Sequence, residues 1–277
     1  MRLKHTAAWV GLTAAALVAT TACGADSVKD AADAVDQTDA IMAALSRATD
    51  RTEELGSAEV QMTTDLGTGT PIAMDGTYSW GDGMAYDVQM DTKAAQMQTL
   101  QDDETIRMLL VDGAYYYNID PQTSGPLQGK DWMKVEASAI LGSGSEALAQ
   151  SSGDPTASLK GLKYASNVED LGTETVNGQS ATHYRAEIDS EDMGQFGDTL
   201  SNGDSLFGSA AGGVDSVTMD IWVNDKDLPV RLKQVMGTMK VTMDFEKFGA
   251  TAEVEAPPAA NTADVTEEIK DAAGTQQ

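Results

Sequence analysis

Few residues in this chain could do covalent or acid–base chemistry. Its 277 residues include one cysteine, Cys23, and two histidines, His5 and His183. A single thiol leaves no intramolecular disulfide, no CxxC redox pair and no cysteine-based zinc site. His183 lies in Thr182-His183-Tyr184-Arg185. It is on the phase opposite Tyr184 and Ile188, so it should face solvent or the outside of a sheet. An isolated imidazole lacks the orienting partner that a general base needs, and a structural or surface role is expected. Ser-His-Asp and Cys-His catalysis, and zinc sites built from two or three imidazoles, have almost no raw material. Asp102-Asp103-Glu104 and Asp189-Ser190-Glu191-Asp192 could gather Ca²⁺, but neither has EF-hand spacing and both read as solvated turns. Composition leaves carboxylate-only hydrolysis open. No catalytic residue, metal or cofactor is assigned.

Cys23 suggests a different chemistry. Residues 1–23, MRLKHTAAWVGLTAAALVATTAC, begin with Arg2 and Lys4, continue through an apolar run to Ala19, and end in small residues before the cysteine. This is an export signal, and its apolar run of about 13 residues is too short to cross a bilayer. Thr20-Thr21-Ala22-Cys23 followed by Gly24 resembles the lipobox of bacterial lipoproteins, in which the cysteine carries acyl chains, although Thr20 stands where that pattern usually has Leu. Two or more acyl chains suffice for stable membrane attachment, so Cys23 is the expected lipidation site.

Charge narrows the partners. There are 44 acidic against 18 basic residues, and removing residues 1–22 leaves a net charge of −28. Nucleic acid is excluded as a partner, because phosphate binding needs a basic surface. The same charge is repelled by anionic headgroups, so the domain should stand off the membrane on its tether.

The elements that would position a site follow from hydrophobic periodicity. Ala40, Ile41, Ala44, Leu45 and Ala48 recur at helical spacing and predict one amphipathic helix over about 40–55, ending at Gly56, with residues 23–39 as a flexible tether. From Ala58 the period changes to two. Alternating runs predict strands at 60–62, 72–80, 84–90, 106–110, 115–119 and 132–135, and a second series at 167–176, 181–188, 217–223, 228–232 and 239–245. Gly81-Asp82-Gly83, Asp112-Gly113 and Asn177-Gly178 supply turn chemistry between them, and such short connections force antiparallel neighbours. Residues 137–150 and 155–165 read as weakly helical. The Gly/Ser/Asp-rich stretch 194–213 reads as a mobile loop, and 259–277 as a disordered tail. The expected organisation is a signal peptide at 1–22, the tether at 23–39, one α+β domain at 40–258 and that tail.

Nine of the fourteen methionines, Met62, Met74, Met84, Met90, Met108, Met219, Met236, Met239 and Met243, fall on the apolar phase of the strands. Met is unbranched and polarisable, and suits a surface that must adapt to varied ligands. It also replaces Leu in ordinary cores, and on composition alone that second reading weighs more. Tyr115-Tyr116-Tyr117 puts two rings on one face, where they could pack as strand aromatics or line a cavity entrance.

The order of elements, together with three stretches, resembles the LolA-like lipoprotein-carrier superfamily, in particular the actinobacterial LppX/LprG-type lipoproteins. The stretches are Asp170–Asp189 (DLGTETVNGQSATHYRAEID), Asp220–Arg231 (DIWVNDKDLPVR) and Phe245–Gly249 (FEKFG), and the match extends over about residues 38–258. The resemblance implies an α+β fold: a strongly curved antiparallel half-barrel with helices covering its concave face, enclosing a cavity for acylated lipids or glycolipids. It carries no catalytic residues. With it, the methionine face reads as a cavity lining, formed by Met62, Met74, Tyr78, Met84, Met90, Met108, Leu110, Tyr117, Met219, Ile221, Leu232, Met239 and Met243. The expected function is that of a membrane-anchored extracytoplasmic lipoprotein that binds a lipid or other hydrophobic molecule for shielding or transport, with no bond made or broken. The competing expectation is an envelope sensor or adaptor that uses the same half-barrel to recognise an unspecified protein partner.

Overall fold

In a computed structural model of the chain, residues 25–67, 70–81, 83–141, 155–162, 165, 167–189, 216–249 and 253–274 are described. The export segment with Cys23, the residues 142–154 and the whole 194–213 stretch lie outside them. The chain divides into two units, Met1–Asp39 and Ala40–Gln277, and the second holds the whole sheet.

All the strands read from alternation are present: β1 (Ser57–Asp65), β2 (Ile72–Ser79), β3 (Ala85–Asp91), β4 (Thr105–Val111), β5 (Ala114–Asn118), β6 (Trp132–Glu136), β7 (Asn167–Val176), β8 (Gln179–Asp189), β9 (Ser216–Asn224), β10 (Pro229–Met236) and β11 (Met239–Phe245). A twelfth, β12 (Thr262–Asp264), completes one unclosed, curled sheet in the order β12-β6-β5-β4-β3-β2-β1-β11-β10-β9-β8-β7. Two meanders, β1–β6 and β7–β11, are thus joined where the last strand of the second pairs with the first strand of the first, Met62 opposite Met243. Neighbours are antiparallel except β12 beside β6. The two-residue turns at Asp112-Gly113 and Asn177-Gly178 hold positive φ at both positions (53° and 74°, 51° and 77°), as a type I′ hairpin requires.

Among the described residues, three helices accompany the sheet before its last strand: α1 (Ala25–Leu55), α2 (Ala137–Leu141) and α3 (Pro155–Gly161). Ile41, Leu45, Ala48, Thr49 and Thr52 form the buried stripe of α1, at the three- and four-residue spacing of one helix face. The hydroxyls of Thr49 and Thr52 donate to the carbonyls of Leu45 and Ala48, so neither is left unpaired. The helix ends at Gly56, whose φ of 67° closes it in the left-handed conformation. Trp80 Nε1 donates to Thr52 O at 2.9 Å and Trp80 N to Gly56 O at 2.8 Å, tying that end to the end of β2. On α3, Leu159 and Leu162, just past its end, enter the core, Ser158 Oγ accepts from Gln234 Nε2 at 3.0 Å, and Lys160 pairs with Glu53. We call the face that carries this core, beneath α1 and α3, the inner face.

Two expectations need correction. Residues 25–39, read as a flexible tether, are helical and continuous with the rest of α1, in keeping with an Ala-rich sequence without Gly or Pro. Residues 259–274, read within a disordered tail, form a 3₁₀ turn (Ala259–Asn261), β12 and α4 (Thr266–Gly274). Their backbone bonds attach them: Asp131 N donates to Asn261 O at 3.0 Å and Val265 N to Lys134 O at 3.0 Å. Asp264 accepts from Thr266 Oγ1 at 2.6 Å and from Lys134 Nζ at 3.1 Å, and Ala263 and Val265 are buried. The approach to this hook places Val254 against an outer-face cluster of Leu109, Val111, Ala114, Tyr116 and Trp132.

Candidate functional site

The register aligns the expected lining residues into rows across the inner face. Tyr184, Ile221, Leu232, Met243, Met62, Met74, Met90 and Ile106 are successive cross-strand partners from β8 to β4. A second row runs Val60, Gly76, Val88, Met108, Tyr117, Met133, and a third runs Ala58, Tyr78, Tyr86, Leu110, Tyr115, Val135. Methionines therefore lie side by side at the middle of the sheet, where two β-meanders join. In the second row Gly76 stands between Val60 and Val88 because β3 passes too close for a side chain: a Cβ there would stand 2.1 Å from Asp87 O.

Burial divides the lining set. Tyr78, Met90, Met108, Leu110, Tyr117, Met219, Ile221, Leu232, Met239 and Met243 are buried, with Tyr78 and Ile221 at 0% exposure and Leu232 and Met239 at 1%. Those four reach a ligand only if something above them moves. Met62, Met74 and Met84 are half-buried against the same core. Sequence reasoning left Tyr86, Met97, Leu127 and Met133 out and gave Tyr115 only as a candidate for a cavity entrance, although the structure gathers all five into the same cluster. The phase of Tyr86 and Met133 in their strands already pointed to this; Met97 and Leu127 come from loops, where alternation gives no signal.

Four phenols crowd one part of this face. Ring centroids are 5.2 Å apart for Tyr78–Tyr86, 6.5 Å for Tyr86–Tyr115 and 6.4 Å for Tyr115–Tyr117. Burial, more than any neighbouring charge, pushes the ionisation of all four upward. Tyr86 and Tyr115 are hydrogen-bond partners, a contact that adds to the upward shift of Tyr86 and opposes that of Tyr115. Tyr78 Oη points at Met62 Sδ, 4.0 Å away.

His183 is on the outer face, as its phase requires, but it is not without partners. Its Nε2 lies 2.8 Å from Asp220 Oδ1 and its Nδ1 3.1 Å from Glu174 Oε1, and its ring stacks on Trp222 at 4.1 Å. Asp220 also accepts from Arg185 Nε at 2.7 Å, and Trp222 Nε1 donates to Glu174. With both ring nitrogens engaged by carboxylates, the imidazole has no nitrogen left for a substrate. It acts as a clamp across β7, β8 and β9.

A surface depression of about 480 Å³ lies around the connection from β3 to β4, lined by Asp91, Thr92, Lys93, Gln98, Gln101, Asp102, Asp103 and Glu104. It is polar, and none of the expected lining residues contributes to it. In the turn that contains Asp102 and Asp103, Asp102 N donates to Asp120 Oδ2 at 2.8 Å and Asp103 N to Gln101 Oε1 at 3.2 Å. Among the described residues no group of three His, Cys, Asp or Glu is placed to hold a metal ion.

A curled antiparallel sheet with helices on its inner face defines the LolA-like fold. The crystal structure of the lipoprotein LppX of Mycobacterium tuberculosis has this fold, with a TM-score of 0.51 at 16% identity over 78% of this chain and 98% of that one. In sequence, the chain is 27% identical to a 31.2 kDa protein from the rplA–rplJ intergenic region of Streptomyces griseus, over 84% of this chain and 82% of that one. It is 28% identical to a candidate lipoprotein of Streptomyces coelicolor, over 78% of this chain and 72% of that one. No protein-family sequence profile matches it.

Proposed function

We infer that the protein is an envelope lipoprotein, anchored through acyl chains on Cys23 at the extracytoplasmic face of the membrane, that binds a hydrophobic or acylated molecule against its inner face for shielding or transport. The observation that carries this reading is the incomplete burial of large apolar side chains packed against the core, Met62, Met74, Met84, Tyr115 and Met133 among them. Fuller burial of these side chains would stabilise the fold further, by about 0.8 kcal/mol for each CH₂ removed from water. Acyl chains laid on that wall would recover the missing burial, and unbranched thioethers adjust to chains of different shape. The lipobox-like Thr20–Cys23, the LppX-type fold and the candidate lipoprotein among the sequence relatives support the same reading. Binding alone is required of this face, with no bond made or broken.

The test is mass spectrometry of organic extracts from the exported chain, made with Cys23→Ala and purified natively from a related bacterium. A stoichiometric lipid that disappears in a Met62→Trp/Met74→Trp variant of unchanged fold is the expected result. A well-folded protein free of lipid would refute constitutive carriage and favour the adaptor function, with the search turning to a protein partner.

A further inference from the structure

The depression beside the connection from β3 to β4 is built on a fixed frame. Thr92 N donates to Glu104 O and Met97 N to Thr92 O, both at 2.9 Å, and Ala95, Met97 and Leu100 of this connection pack against the core. Two of the residues that line it are polar and buried, Thr92 at 2% exposure and Gln101 at 8%. Thr92 Oγ1 is the one buried side-chain nitrogen or oxygen among the described residues that has no hydrogen-bond partner. Valine would fill the same space without an unmet hydroxyl, so the hydroxyl costs stability unless a ligand completes it. Around it stand Asp91, Asp102, Asp103 and Glu104, against the single cation Lys93. Among the described residues none of these four carboxylates is paired with a lysine or arginine.

Carboxylates, the Gln101 amide oxygen and the threonine hydroxyl all accept hydrogen bonds, so the complementary ligand brings donors and positive charge. A bare metal ion does not fit, because among the described residues no three acidic side chains converge closely enough to hold one. Four carboxylates spread around a space of about 480 Å³ suit several smaller charges set apart along a chain. We propose that this depression binds a linear polyamine, its ammonium groups paired with Asp91, Asp102, Asp103 and Glu104 and one of them donating to Thr92 Oγ1. A change of the Thr92 rotamer would present the enclosed hydroxyl to that amine. The site shares no residue with the methionine wall, and it stands whether or not that wall binds lipid.

Isothermal titration calorimetry with spermidine at low ionic strength tests this on the exported chain with Cys23→Ala. One saturable site is expected, which Ca²⁺ at equal ionic strength does not displace. Asp102→Asn/Asp103→Asn should weaken binding by about tenfold or more. Glu253→Gln/Glu255→Gln removes the same charge from exposed residues outside the depression and should change binding by less than about twofold. Thr92→Val should weaken binding about tenfold and, without spermidine, raise the melting temperature. A threonine that only packs would not give those opposite effects. Thermal melting of each variant reports folding. Equal weakening by the two double variants would reduce binding to diffuse attraction by the net charge and overturn the site. Displacement by Ca²⁺, a Thr92→Val variant that binds as the wild type does, or a wild type that takes up no spermidine would each overturn it as well.

Discussion

At the scale of single residues, His183 shows how a group that looks catalytically idle can still be structurally central. Asp220 is only 2% exposed and holds both His183 and Arg185, whereas Asp87 pairs with Arg107 at the surface. Replacing Asp220 with Ala strands two donors beside a buried site and should cost about 1–3 kcal/mol in urea unfolding. Asp87→Ala should cost under about 1 kcal/mol, as exposed pairs do. Equal losses would mean that the clamp does not hold β7, β8 and β9 together. The face that His183 occupies was legible in the sequence, because alternation alone sets it. Its partners were not: Glu174 and Asp220 come from the neighbouring strands, and only the register brings them to one ring. That the methionines share the inner face was legible for the same reason that His183's face was. Which of them stay partly open depends on how α1, α3 and the loops cover the sheet, and alternation does not encode that.

At the scale of elements, every strand with alternating apolar residues was readable, and the two that pair across the join, β1 and β11, are separated by most of the chain. The C-terminal hook was not readable. Its strand is only Thr-Ala-Asp, too short for a period, and α4 carries Glu267, Glu268, Lys270 and Asp271 around few apolar positions. Its attachment lies in specific bonds, above all the Asp264 carboxylate shared by Thr266 and Lys134. A chain ending at Pro258 should expose β6 as an edge strand. Hydrogen exchange should then lose protection at Trp132–Glu136, and the urea midpoint should fall. Unchanged protection there would show that β6 needs no partner on that side.

At the scale of the whole molecule, the buried phenols set an alkaline limit. Burial raises the ionisation of Tyr78, Tyr86 and Tyr117 above the ordinary phenol value of 10.0. A raised native pKa means that the folded state holds its proton when the unfolded chain has lost it. The contribution to stability is therefore full below pH 10.0 and declines as pH climbs above it, toward the native values. The urea midpoint should be level from about pH 7 to 9 and fall beyond about 10, less steeply in Tyr78→Phe/Tyr86→Phe. A fall of equal steepness in that variant would assign the limit to other groups, such as Lys134, whose ionisation is also raised, chiefly by its hydrogen bond to Glu136.

The most direct test of the inner face as the binding surface is photocrosslinking with a diacylglycerol that carries a diazirine in one acyl chain, followed by peptide mapping of the full exported chain. The account predicts adducts on the peptides that carry Met62, Met74, Met84, Tyr115 and Met133, suppressed by excess unlabelled lipid. Adducts confined to the outer face, around Trp222 or Tyr116, or labelling that excess lipid does not suppress, would contradict it.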